Sequence, residues 1–132
     1  MNTWTLGLLV ALGAATGGIS RWWIGLVFNP VWSGFPVGTL LVNTVGGLLA
    51  GMAYVWFGKM PADVAGLTPE AWRLLCVTGF LGGLTTFSTF SVELLALLEK
   101  DRFPLAIAHV TSHVLGALVF AWLGARLMRG LF

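Results

Sequence analysis

Four apolar stretches, at about residues 4–27, 36–58, 72–98 and 103–126, set the terms for everything else in this sequence. A helix that crosses a bilayer takes about 20 largely apolar residues, and each stretch is that long. What separates them is short. Charged residues make up 9% of the chain and hydrophobic ones 58%, against about 25% charged in an ordinary globular protein. Five acids and seven bases cannot coat a water-soluble domain of 132 residues. The expected fold is therefore an all-α integral membrane protein, one domain of four transmembrane helices, with lipid as its main solvent. A fifth span does not fit comfortably. Nucleic acid is excluded as a partner, because the net charge is only +2 and no basic stripe exists. No Lys or Arg precedes the first apolar run, so it reads as a span and not as a signal peptide.

Local signals place the ends of the spans. Asn29 to Pro36 is turn chemistry, with Pro36 expected at the first position of the second helix. Thr68, Pro69 and Glu70 form a helix start: a hydroxyl cap, a proline that needs no N–H partner, and an acid at the positive end of the dipole. Pro104 starts the fourth helix. Small residues Gly13, Ala14, Gly17 and Gly18 give the first helix a close-packing face. Gly46, Gly47 and Gly51 lie on the second. Arg21, Trp22 and Trp23 read as the interfacial end of the first span, with Arg21 an anchor or a partner for Glu93.

The third stretch is unusual at its centre, Thr78-Gly79-Phe80-Leu81-Gly82-Gly83-Leu84-Thr85-Thr86-Phe87-Ser88-Thr89-Phe90-Ser91. Glycine and hydroxyl residues let a membrane helix unwind where protein surrounds it, and unwound carbonyls can hold an ion. Carbonyls at Gly82 and Thr85 suit a hard cation such as Na⁺. The competing reading is an unbroken helix in which Gly79 and Gly83 pack closely. Phe87 and Phe90 share a helical face. They are either apolar filler or ring edges turned to an anion, since a ring's edge is positive. Asn43 either bonds across helices or donates to a passing anion. His109 and His113 are one turn apart beside Thr111 and Ser112, and no nearby Cys or carboxylate completes a metal site, so interhelical bonding or pore lining is expected. Cys76 reads as a buried, inert thiol. No Ser-His-Asp set, paired metal motif or phosphate loop points to an enzyme.

Four spans put Lys59, Arg73, Arg126 and Arg129 on one side and Arg21, Lys100 and Arg102 on the other. Orientation follows an excess of Lys and Arg, and four against three is almost no excess. The expectation is insertion both ways round and an antiparallel, dual-topology homodimer. A fixed orientation set by Arg126 and Arg129, or a heterodimer with a homologue, is the alternative.

Two segments carry a family resemblance: Gly38-Thr39-Leu40-Leu41-Val42-Asn43, and Gly79 through Glu93. On these motifs, and over essentially the whole chain, the sequence resembles the Fluc family of fluoride channels, also called CrcB. The resemblance implies passive F⁻ export from a prokaryotic cytoplasm, to relieve fluoride toxicity. It implies two antiparallel pores per homodimer and a structural Na⁺ where the two broken third helices cross. Carried over, Asn43, Phe87 and Phe90 line the pores. Thr39, Ser88, Ser91 and Glu93 match polar positions beside them, and Gly82 and Thr85 supply the Na⁺ carbonyls. Span four departs more freely, and His109, Thr111, Ser112 and His113 receive no role from it. A small multidrug-resistance transporter is the runner-up, but residues 1–62 contain no Asp or Glu to carry protons. A non-transporting assembly subunit is the third reading.

Overall fold

The computed structural model describes all residues 1–132, and its named elements are all helices. α1 covers Thr3–Phe28 and is followed by a short tight turn, Asn29–Val31. α2 covers Val37–Lys59. The third span, Pro69–Glu99, is built in pieces: α3 Pro69–Arg73, a π-helical segment Leu74–Leu81, α4 Gly82–Leu84, and α5 Phe87–Glu99. α6 covers Phe103–Leu131. The four spans are long and apolar enough to cross a membrane, as the apolar stretches predict.

The caps explain most of the boundaries. Asn2 Oδ1 accepts from the Thr5 N–H at 2.9 Å and starts α1. Thr68 Oγ1 accepts from the Ala71 N–H at 3.3 Å, with Pro69 in the first turn, as expected. Pro36 is one position earlier than the sequence suggested: it is the cap residue, and α2 begins at Val37. Pro36 has no side-chain acceptor, so the cap comes from elsewhere. Asn29 Oδ1 accepts the N–H groups of Gly38 and Thr39 at 2.8 and 3.3 Å. The fourth helix runs past Arg126 to Leu131.

Glycines decide the packing. A Cβ on Gly13 or Gly17 of α1 would strike the backbone of Leu75 or Phe80, and one on Gly79 or Gly83 would strike α1 in return. The same holds between α2 and α6, where Gly51 faces the Ala121 backbone and Gly124 faces Leu48. Lipid tails are as apolar as leucine, so contact of this closeness is what holds membrane helices together. A small apolar cluster of Val42, Leu81 and Leu84 fills the centre.

The third span is broken, against the reading of an unbroken helix, although the close packing that reading assigned to Gly79 and Gly83 is present. Gly79 and Gly83 are close-packing residues, and the helix still breaks, two residues further on. Thr85 and Thr86 are extended, at φ −81°, ψ 157° and φ −150°, ψ 124°. Gly82 is itself helical, at φ −62°, ψ −36°. The wide-turned segment before the break has no signature in the sequence.

Candidate functional site

The break at Thr85–Thr86 frees backbone groups deep in a span, where each needs a partner. Asn43 of α2 supplies two of them. Its Oδ1 accepts the Thr86 N–H at 2.8 Å, and its Nδ2 donates to the Thr86 carbonyl at 3.0 Å. A primary amide has two N–H donors, so one remains for another acceptor. Arg21 reaches the break from α1, and its Nε donates to the Gly83 carbonyl at 2.9 Å. This corrects the sequence reading of Arg21. It lies seven residues before the end of α1, half-buried, and it does not pair with Glu93. A guanidinium has fixed donors and no acceptor, which suits an orphaned carbonyl.

Five carbonyls at the break, Gly82 to Thr86, keep no backbone donor. Arg21 and Asn43 serve those of Gly83 and Thr86, and those of Gly82, Leu84 and Thr85 keep no donor in the chain. The Thr86 N–H, the helical partner of the Gly82 carbonyl, goes to Asn43 instead. The Thr89 N–H, the helical partner of the Thr85 carbonyl, goes to Thr86 Oγ1 at 3.1 Å and starts α5. Gly82 and Thr85 therefore present neutral, hard oxygens with no carboxylate beside them, a donor set that fits a monovalent alkali cation. Gly82 lies on the outer face of the chain, and a Cβ there would meet nothing closer than the Val77 carbonyl at 3.8 Å.

Phe87 and Phe90 follow directly on α5, with ring centroids 5.4 Å apart. They differ in burial: Phe87 is 79% exposed and Phe90 only 7%. Both border a groove of about 620 Å³ with Asn43, Thr86, Gly46 and His113. The hydroxyls are organised around them. Thr86 Oγ1 donates to Thr89 Oγ1 at 3.0 Å and lies 3.3 Å from Ser88 Oγ. Ser91 Oγ donates to the Phe87 carbonyl at 2.8 Å. Further along α5, Glu93 takes the hydroxyl of Thr39 on its Oε1. Glu93 also borders a smaller pocket of about 260 Å³, open beside Asn29, Ser33, Lys100 and Arg102.

The predicted site residues have this arrangement: Asn43, Phe87 and Phe90 line one groove, Glu93, bonded to Thr39, borders a second pocket beside Lys100 and Arg102, Ser88 lies beside Thr86 at the break, and Ser91 bonds back within α5. Sequence reasoning missed two parts of it. Arg21 gave no sign that it serves a carbonyl. His109 was left without a partner, yet its Nε2 lies 3.3 Å from the Phe90 carbonyl and 3.5 Å from Glu93 Oε2, while Phe90 stacks on its ring at 5.0 Å. Of the two histidines only His109 bonds across helices; His113 has no hydrogen-bond partner, and Thr111 beside them is exposed.

Residues 8–125 match the family described as CrcB-like protein, Camphor Resistance (CrcB). Among the relatives is a "Fluoride-specific ion channel FluC" of Pseudomonas aeruginosa (strain UCBPP-PA14), 48% identical over 92% of this chain and 91% of its own length. Proteins of the same name from Tolumonas auensis and Nitrosomonas europaea are 49% and 42% identical over the same shares. A chain with this coverage, these four spans and a third span broken beside Asn43 belongs to the CrcB family.

Proposed function

We propose that this chain is a passive fluoride channel of the bacterial inner membrane, exporting F⁻ from the cytoplasm. The observation that carries the reading is the Phe87–Phe90 pair in one groove with Asn43 and Thr86, with hydroxyls on the adjoining turns of α5 and no fixed cation next to the rings. Fluoride is small and strongly hydrated. It must exchange water for other positive dipoles as it crosses, and ring edges and N–H or O–H donors are such dipoles. The relatives named fluoride-specific channels support the same substrate. Lys100 and Arg102 at the mouth raise the local anion concentration. Beyond them, Thr39 engages Glu93 and keeps the carboxylate to one side. The free N–H of Asn43 and the edges of Phe90 and Phe87 then take the ion in turn. The pore binds in several weak steps, which lets an ion leave as well as enter. HF crosses lipid as a neutral acid and dissociates in neutral cytoplasm, so a pore that passes F⁻ down its gradient relieves the trap.

The working unit in this reading is an antiparallel homodimer with two pores. The near-even split of basic residues supports it, and so does α5, whose Phe87, Val92 and Leu95 are exposed along one length of helix. Two copies related by a two-fold axis bring two Gly82 and two Thr85 carbonyls together, and a Na⁺ held there adds a fixed structural charge at the centre of the dimer. Each chain's part is to hold its two carbonyls open, through Asn43 and the Thr86 cap.

Liposomes containing only this chain and loaded with fluoride test the proposal. With a K⁺ ionophore present they should empty of F⁻ and retain Cl⁻. Efflux that ignores the ionophore would show coupled exchange in place of a channel.

A further inference from the structure

The site described so far leaves two buried histidines unexplained. His109 and His113 are 0% and 5% exposed, and their ring centroids are 4.3 Å apart. His109 Nδ1 and both ring nitrogens of His113 have no partner in the chain. A neutral imidazole always carries one N–H and a protonated one carries two. His113 therefore holds at least one buried donor with nothing to donate to, a costly arrangement unless a ligand completes it. His113 lines the groove with Asn43, Thr86, Phe87 and Phe90, and its ring centroid is 4.9 Å from that of Phe90. The missing acceptor thus belongs where the permeating ion passes.

We infer that His113 binds fluoride in this pore, and that it does so together with a proton taken up on its own ring. The inference rests on the fluoride reading above. The titratable groups that face His113 are few. On its own helix there is His109. On α5 there is Glu93, whose Oε2 has no hydrogen-bond partner and lies 3.5 Å from His109 Nε2. α2 offers Asn43, Gly46 and Gly47 to the groove; its Tyr54 and Lys59 stand about three turns or more beyond Asn43. Arg21 of α1 is turned to the Gly83 carbonyl. With no cation against it, a neutral His113 ring can offer a fluoride one N–H. The Glu93 carboxylate lies against His109 and not His113, so a charged His113 ring buried here has no ion-pair partner in the chain and is disfavoured, and an arriving F⁻ supplies that charge. Proton and fluoride therefore favour each other by the same factor, as linkage requires. The proton comes from pore water to a ring nitrogen, F⁻ stays an ion, and no bond to fluorine forms. Acid raises the load of HF entering the cell, so a pore that holds F⁻ more tightly in acid responds to the condition that fills the cytoplasm.

Fluoride current through the full-length protein in planar bilayers tests this, since HF crosses uncharged and carries no current. The half-saturating fluoride concentration is measured at about pH 7.5 and about pH 5.5, across the range in which imidazoles titrate. It should fall about fivefold toward acid, the step from a neutral to a charge-assisted hydrogen bond. His113→Asn keeps an N–H donor but cannot titrate, and its half-saturation should not move with pH. If that variant fails to assemble, the wild-type curve decides, together with nitrogen NMR of the His113 ring, which should shift toward the protonated form when NaF replaces NaCl. A wild-type current whose half-saturation ignores pH overturns the inference alone, and so does a His113→Asn variant with the same shift. No fluoride current at either pH overturns the channel reading and this inference with it.

Discussion

Where α1 meets the π-helical segment and α4, backbone lies against backbone. Where α5 runs along α6, side chains fill the space, and they are polar or aromatic: Phe90, Glu93, His109 and His113. The first contact is a packing solution. It uses glycine to gain closeness, and it leaves no room for a ligand. The second is loosely filled, carries four buried polar atoms with no hydrogen-bond partner, and opens on a groove. In a membrane, stability and permeation make opposite demands on an interface. This chain separates them along its third span, with glycines before the break and phenylalanines and hydroxyls after it.

The largest effect should come from bulk in the glycine contact. Gly17→Val drives a side chain into the Phe80 carbonyl, and overpacking against backbone should cost about 4 kcal/mol or more; no folded protein should be recovered in detergent. Gly82→Val is the counterpart. It has room within the chain, so the single chain should fold while size-exclusion chromatography shows the loss of the dimer. A folded, active Gly82→Val dimer, indifferent to replacement of Na⁺ by a large organic cation, would sink both the crossing point and the ion. Next comes the joint between the halves. Asn43→Leu removes both hydrogen bonds to Thr86 and leaves a buried N–H and C=O unmet, at about 1–3 kcal/mol each. It should lower the melting temperature and abolish F⁻ efflux together. Asn43→Ser keeps a donor but shortens it, and should lower flux with a smaller loss of stability.

Smaller again are the rings. Phe90→Leu and Phe87→Leu keep apolar bulk and remove the positive edge. Each should slow F⁻ efflux by about tenfold, worth about 1.4 kcal/mol in the permeation barrier, with the dimer intact. Wild-type flux in both would move the pore to another face of α5. The least change belongs to Ser112→Ala. It loses only a bond from its hydroxyl to the His109 carbonyl at 3.1 Å, within α6, and should stay within about 0.5 kcal/mol of wild type. A large effect there would mean that α6 shapes the His pair more tightly than its packing implies.

Much of this was legible in residue order because the physics involved is local. Span number and approximate limits follow from hydrocarbon thickness and the lack of charge. The cap at Thr68 and the start near Pro104 follow from backbone donors and the missing proline N–H. Glycine and hydroxyls in the middle of an apolar run marked the third span as unusual, but left a break and an unbroken close-packed helix both open. Residue order alone also determined the side shared by Phe87 and Phe90, since residues three apart on a helix are neighbours on its surface.

Tertiary structure decided what depends on distant partners. The break falls at Thr85–Thr86, and not at Gly82, because Asn43, 43 positions away, takes the Thr86 N–H. Arg21 is committed to the Gly83 carbonyl across 62 positions, so it supports the broken helix and does not pair with Glu93. Pro36 stands outside α2 because Asn29 caps that helix from the preceding turn. The roles of Glu93, His109 and His113 exist only once α5 lies on α6. A polar side chain in lipid must find a partner, and residue order states that need, but only the packed helices determine which partner meets it.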